Sequence, residues 1–404
     1  MSINITSEIK PLKKVLLHRP AGELLNLTPD TLSELLFDDI PFLKKAQEEH
    51  DCFAETLRNL GVEVVYLEDL MSEVISISQD IREAFIRQFI NEADVHTNTN
   101  KEIIFEYLNA IKEPKQLVLK TMEGLKSTEV TLSTFNSLMD TVRQESEMLI
   151  KPMPNLYFTR DSFACISQGV SLNHMYSVTR NRETIYGEYI FKYHPDYYNT
   201  PLFYDRYWKY HIEGGDISNL SEETLLVGLS QRTEANALEI LARNIFSSHN
   251  NRIKEVIALS IPRTRAFMHL DTVFTQVDYD TFTVHPEILS IFEIYSIKPD
   301  DNDIKIRRID DSIENVLADR LHVPAVKMIK CGGNDRIVAA REQWNDASNT
   351  LCIKPKTVIV YDRNEVTNDL LVKNGIDLIT IPSAEISRGR GGPRCMSMPL
   401  LRED

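Results

Sequence analysis

Cys395 follows a run, RGRGGPR, in which Arg388, Arg390 and Arg394 alternate with glycines. A thiol near several cations is favoured as thiolate, the nucleophilic form, so Cys395 is the sharpest candidate for a nucleophile. The plainer alternative is a buried structural cysteine, but a polar, glycine-rich approach makes a poor core strand. The run could also be a basic strip for nucleic acid. Against that, it is one short copy without interleaved aromatics. Upstream, MHLDTVF sets His269 and Asp271 two residues apart. On a strand both would face the same side, and a histidine beside a carboxylate can move protons. HIEGGDIS places Glu213 directly before a glycine pair, where a carboxylate can project into a cleft. MPNLYFTRDSFACIS places Asn155, Phe158, Arg160 and Asp161 ahead of an apolar strand. Taken alone, the first two of these three motifs are better read as a histidine tied to its neighbouring aspartate and a turn acid, and the third also reads as a structural Arg160–Asp161 turn pair. Cys, His, Asp and Glu are also ligand types, but HExxH, paired CxxC and similar spacings are missing, so no metal is expected.

The elements that must position these residues recur as short strands with helices. KKVLLHRP is an apolar run stopped by Pro20. Helical spacing of Leu43, Ala46, Phe53 and Leu57 follows, with Gly61 as a stop, then a strand-like VEVVYLEDL. From about 71 to 150 the character changes. Ile81, Phe85 and Phe89 share one helical face, as do Ile104, Leu108 and Ile111, and glycine falls to Gly124 alone. This stretch reads as a helical insertion. Beyond it, LLVGLS leads into a helix with Thr233 as its cap and Leu238, Leu241 and Ile245 on its buried face. DTVFTQVDYDTFTVHP reads as strand, turn, strand, and residues 356–382 as strand, helix, Gly375 stop, strand. Such units favour an α/β or α+β fold, without a strict sequence repeat. Half of the 14 glycines sit at 214–215, 332–333 and 389, 391 and 392. None of these places has phosphate-loop spacing.

Composition narrows the partners. The 404 residues carry a formal charge of −15, opposite in sign to the footprint of a phosphate-gripping protein. An acidic field concentrates cations, so a small cationic substrate suits the chain better. With 42% hydrophobic residues the chain can build a substantial core. Five widely spaced cysteines without CxxC fit a reduced, cytoplasmic protein. No secretory signal is seen, and no window is apolar enough to span a membrane.

Together and in order, FTRD, HIEGGD, HLD and RGRGGPRCMSMP resemble the arginine deiminase family of the guanidino-group-modifying superfamily. KKVLLHRP, LTPD, LLFDDIP, AQEEHDCFAETLRNLGVEV and CGGND are similar to it too, so the resemblance covers most of the chain. It implies an α/β fold, a five-bladed ββαβ propeller spanning 1–404 around a central site, with an inserted α-helical bundle at 71–150. It implies hydrolysis of L-arginine to L-citrulline and ammonia through a covalent thiouronium, without metal or cofactor. Residue by residue, Cys395 matches the nucleophile and His269 the general acid/base. Asp161 and Asp271 match the carboxylates that grip the guanidinium, and Glu213 the third acid. Arg180 and Arg232 match arginines that hold the substrate carboxylate. Asn155 and Phe158 match pocket residues, and Arg390 a mobile-loop arginine. Pro393–Arg394 stand where some members carry Gly–His. The resemblance also implies a homo-oligomer, dimer or higher. An amidinotransferase or an agmatine deiminase would share much of this machinery. Electrostatics fits several acids: one carboxylate at ~4 Å contributes only about 4 kcal/mol at an effective dielectric of about 20, which desolvation of a guanidinium can consume.

Overall fold

The structure is a computed structural model that describes residues 3–133, 138–139, 147–248, 251–289, 291–301 and 303–403. It is a mixed α/β fold in which one unit recurs: two antiparallel strands, a helix, and a third strand parallel to the second. Phe163–Ile166 and Gly169–Leu172 pair antiparallel, the helix Thr184–Tyr193 follows, and Leu202–Tyr204 returns parallel. Ile217–Asn219, Thr224–Leu229, helix Ala235–Ser247 and Glu255–Ser260 repeat the pattern. The third unit is Phe274–Asp278, Thr281–Val284, helix Ile313–Leu321 and Lys327–Lys330. Its second strand and helix are separated by the hairpin Glu293–Asp300 and Asp303–Ile309, which adds to the sheet of the second unit. The fourth is Leu351–Lys354, Thr357–Tyr361, helix Glu365–Lys373 and Asp377–Ile381. The fifth joins the two ends of the chain: Met398–Arg402 pairs antiparallel with Leu12–Leu17, and after helix Leu43–Asn59 the strand Glu63–Tyr66 lies parallel. The unit was visible in the sequence as strand–helix alternation. Its fivefold repetition was not, because the units share geometry rather than residues.

Local chemistry explains most of these elements. Leu43–Asn59 buries Ala46, Phe53, Ala54 and Leu57 along one stripe and ends before Gly61 at φ 80°. In VEVVYLEDL the strand stops at Tyr66, and Leu67–Ser76 is a helix. Glu68 and Asp69 fall in its first turn, where acidic groups favour the helix start over an extended chain. Three further helices follow, Gln79–Asn91, Asn98–Asn109 and Pro114–Glu123, capped by Ser78, Thr97 and Glu113. Their inner faces do not form a separate core. Phe85, Phe89, Ile104 and Leu108 share one cluster with Phe163, Ile166 and Val170 of the first unit, and Phe85 packs edge-on against Tyr189. The expected insertion at 71–150 also covers 134–137 and 140–146, which lie outside the described residues. Among the described residues no helix is long and apolar enough to cross a membrane. All five cysteines are unpaired, and only Cys52 is more than slightly exposed.

Candidate active site

Each unit ends its approach to its first strand in a tight turn, and the chemical residues stand on those turns. Asp161, Glu213, His269 with Asp271, and Cys395 lie two to five residues ahead of the first strands of units one, two, three and five. The corresponding position of unit four is Asn349. The turns are hydrogen-bonded in a closed ring. Arg160 N–H donates to Cys395 O (3.1 Å) and Gly214 N–H to Asp161 O (3.1 Å). Leu270 N–H donates to Asp216 Oδ1 (2.8 Å), Asn349 Nδ2 to Asp271 O (3.2 Å), and Cys395 N–H to Asn349 Oδ1 (2.9 Å).

Two glycine clusters are explained by close approach rather than by turn geometry. A Cβ on Gly215 would lie 2.5 Å from His269 Nδ1, and one on Gly392 would lie 2.6 Å from Asn349 O. The pair His269–Asp271 does not lie on a strand, as its spacing suggested. His269 precedes the short 3₁₀ turn Leu270–Thr272, and the strand begins at Phe274. The reason is Asp216, whose carboxylate accepts from Leu270 N–H, Ser230 Oγ (2.6 Å) and Thr233 Oγ1 (2.7 Å). Asp216 thereby claims the hydroxyl expected to cap the following helix. That helix, Ala235–Ser247, starts without a side-chain cap.

All five proposed catalytic side chains are buried. His269 Nε2 is 2.7 Å from Glu213 Oε2, and His269 Nδ1 is 3.8 Å from Asp161 Oδ1. Cys395 Sγ is 3.4 Å from Asp271 Oδ2 and 3.1 Å from Asn349 Nδ2. Asp161 Oδ1 and Asp271 Oδ1 are buried and accept no hydrogen bond among the described residues. Burial disfavours an imidazolium, but Asp161, Glu213 and Asp216 outweigh it and raise His269 to about 9. Burial also opposes ionisation of Glu213, yet Arg232 and His269 overcome it and hold its carboxyl well below the usual range.

The thiol departs from the sequence-based expectation. Burial first, then the carboxylates of Asp271, Asp161 and Asp346, push Cys395 well above the ordinary thiol range, and Arg394 opposes them. The arginines of the approach do not face the sulfur as free cations. Arg388 pairs with Asp39 and Glu385, and Arg390 lies 3.5 Å above the Trp344 ring. Arg394 donates to Asp271 Oδ2 (2.8 Å) and sits 3.2 Å from Glu8 Oε1.

Arg180 and Arg232 meet the acids directly. Arg180 Nη1 donates to Asp161 Oδ2 (2.9 Å) while its other nitrogens bond Glu183, and Arg232 Nη1 donates to Glu213 Oε2 (3.2 Å). Asp161, Glu213 and His269 could in principle surround a metal ion, since their ligand atoms lie within 4.8 Å of one another. Two of those residues are already bonded to guanidinium groups, so the set is suited to a planar organic cation rather than to a bare ion. The cavity between these groups measures about 20 Å³ and is also lined by Leu36, Asn155, Phe158 and Arg390. That is room for about one water. Asn155 Nδ2 donates to Leu35 O (2.7 Å), and Phe158 packs tilted against Tyr157, with ring centroids 4.1 Å apart. Leu36 and Arg390 both hold left-handed backbone, at φ 63°. Two larger clefts, of about 800 and 860 Å³, lie elsewhere and contain none of these residues.

Residues 33–402 match the arginine deiminase family. The arginine deiminase of Treponema denticola is 58% identical over 405 residues, covering all of this chain and 99% of that protein. The chain belongs to the arginine deiminase family. The arginine deiminase of Clostridium perfringens is 53% identical, covering all of this chain and 98% of its own length. Among solved structures, a dimethylarginine dimethylaminohydrolase variant carrying an S-methyl-L-thiocitrulline adduct is similar in fold (TM-score 0.52, 14% identity, 96% of this chain and 99% of that one). Within this arginine deiminase family member, sequence reasoning had left Asn349, Asp216 and Glu8 without a role. Asp216 closes the HIEGGD motif and was within reach. Asn349 and Glu8 carry no local signal.

Proposed function

We propose that the chain hydrolyses L-arginine to L-citrulline and ammonia through a thiouronium on Cys395. The observation that carries this reading is the meeting of a buried thiol, an imidazole–carboxylate pair and two further carboxylates at one cavity, in a chain similar over its full length to arginine deiminases. The substrate head is a planar cation. Asp161 and Asp271 each keep an oxygen free to accept from it. Arg180 and Arg232 now lie against Asp161 and Glu213, in the place of such a cation. Arrival of the substrate guanidinium exchanges one guanidinium for another at these acids. The two displaced arginines are then free to take the substrate carboxylate.

Entry needs more than 20 Å³. The cover is made by the segment carrying Leu36 and the segment carrying Arg390, joined where Asp38 N–H donates to Arg388 O. Both segments hold non-glycine residues in a strained region, consistent with a cover that moves. Asn155 and Phe158 line the wall beneath it.

With the cation in place, the thiol releases its proton to solvent more easily, because a positive group now stands beside a sulfur surrounded by carboxylates. Sγ bonds to the guanidinium carbon. His269, protonated up to about pH 9, gives its proton to the departing nitrogen, which leaves as ammonia. The neutral imidazole then takes a proton from water as the oxygen bonds to the same carbon. The carbon–sulfur bond breaks, the thiolate is restored, the remaining hydroxyl proton goes to the ammonia as ammonium, and citrulline is released. Glu213 stabilises the imidazolium through both stages. No step calls for a metal or cofactor.

The same reading includes the remaining family expectations. The five units, with their closed ring of turns, are taken as the blades of a propeller with the site on its axis. Residues 71–150 are taken as its helical insertion, and the protein as a cytoplasmic homo-oligomer, dimer or higher. The decisive experiment incubates the protein with arginine alone and with agmatine alone, assaying citrulline and carbamoylputrescine. Citrulline from arginine without an amine acceptor separates hydrolysis from amidino transfer. Cys395→Ala should abolish citrulline formation in a folded protein, and retained activity overturns the nucleophile assignment.

A further inference from the structure

Four of the five turns supply a residue already placed in the chemistry. The fifth, ahead of Leu351–Lys354, supplies Asn349, whose side chain is fully buried against the nucleophile. Its carboxamide is oriented by its neighbours. Oδ1 accepts from Cys395 N–H (2.9 Å), while Nδ2 lies 3.1 Å from Cys395 Sγ and 3.2 Å from Asp271 O. The opposite orientation would set two carbonyl oxygens against each other and two N–H groups together, so the amide nitrogen is the one facing sulfur. Gly392 allows this approach, since any Cβ there would collide with Asn349.

We propose that Asn349 is a sixth catalytic residue of this site: its N–H donates to the Cys395 sulfur and holds the thiolate ready for attack. The proposal rests on the reading of Cys395 as nucleophile. Its physical logic comes from the groups around the sulfur. Asp271 accepts from the thiol, and with Asp161 and Asp346 it favours the protonated form. The phenols of Tyr157 and Tyr361 are also near, and the His269 imidazole lines the same cavity. Arg394 opposes the acids, but its guanidinium is shared with Asp271 and Glu8. Asn349 is the neutral donor bonded to the sulfur itself. A hydrogen bond to a charged acceptor is stronger than one to a neutral acceptor, so this contact favours thiolate over thiol. It weakens once sulfur is bonded to the substrate carbon, and it is restored when the thiolate leaves. The donor therefore also favours product formation in the second half of the cycle.

The test measures alkylation of Cys395 by iodoacetamide against pH, followed on the Cys395 peptide by mass spectrometry, alongside arginine turnover. Asn349→Asp keeps the shape and the acceptor for Cys395 N–H but removes the donor to sulfur. Asn349→Ala removes both. The alkylation midpoint is expected to rise by about one pH unit in Asn349→Ala and further in Asn349→Asp. Turnover should fall about tenfold or more, with KM for arginine within about threefold, because the carboxylates are untouched. Should one variant fail to fold, the other decides. A midpoint equal to that of the parent in a folded variant overturns the assignment, as does unchanged turnover. If Cys395→Ala is inactive while the Asn349 variants titrate like the parent, only this assignment fails. If Cys395→Ala stays active, the nucleophile reading fails with it.

Discussion

His269 and Glu213, 2.7 Å apart, are the pair proposed to set the working range of the reaction. The imidazole is buried, which alone would keep it neutral, yet carboxylates on two other turns hold it protonated to about 9. A general acid must carry its proton at the moment ammonia leaves, so turnover should decline as pH rises through about 9. The sign for stability is the same. Because the folded pKa lies above the unfolded value of 6.5, the pair stabilises fully below 6.5 and loses that contribution as pH rises through about 9. Glu213→Gln removes the nearest negative charge. The alkaline limb of kcat should then move to lower pH, toward the ordinary histidine range, and a limb that stays in place refutes the pairing. The thiol teaches the opposite lesson. A count of neighbouring arginines in sequence suggested a thiolate, whereas in space those cations are bonded to Asp39, Glu385, Glu8 and Asp271 or stacked on Trp344. Charge near a residue in sequence is not charge facing it.

At the level of elements, the turn ahead of each first strand is where precision is created. Gly214 and Gly215 let the turn after Glu213 pack against Arg160 and against the face of His269. Gly215→Ala would drive a methyl group into the imidazole. It should lower kcat by about tenfold or more through a displaced His269, while thermal unfolding shifts only slightly. Steady-state kinetics and a melting curve on the same preparation separate the two effects, and unchanged kcat removes the positioning role of this turn. These turns also explain what the sequence could and could not disclose. Helices such as Leu43–Asn59 and Ala235–Ser247 were readable because a buried stripe repeats every turn, and strands such as Thr357–Tyr361 because apolar residues cluster between breakers. Cys395, His269, Glu213, Asp161 and Asp271 were readable because each sits in a short motif. Thr233 misled because its hydroxyl goes to Asp216, a preference settled by tertiary contact. Asn349 was invisible because its meaning lies in a partner 46 residues away.

Across the whole molecule, the two chain ends meet at the site. Met398–Arg402, just after Cys395, pairs with Leu12–Leu17, and the segment before that strand carries Glu8 into the interior. Glu8 accepts from Asn219 N–H (3.1 Å) and approaches Arg394, whose other arm holds Asp271. Burial opposes ionisation of Glu8, but Arg394, Arg160 and Arg402 overcome it and bring its carboxyl down to about 2. An anion from the N-terminal segment thus balances buried guanidiniums and, through Arg394, steadies a carboxylate proposed to grip the substrate. Removing one partner of a buried charged pair costs roughly 3–5 kcal/mol, because the other charge stays buried. Glu8→Gln should therefore lower the unfolding midpoint by several degrees at neutral pH. Since the folded pKa lies below the unfolded one, the ionised carboxylate stabilises above 4.5 and loses that contribution as pH falls toward about 2. The gap between parent and variant should narrow from pH 7 to pH 3 in melting curves. Arg394, left with Asp271 as its carboxylate partner, would hold that group more tightly against the incoming cation, so KM for arginine should rise more than kcat falls. Melting curves that run parallel across this range, together with an unchanged KM, would disconnect the N-terminal segment from the chemistry.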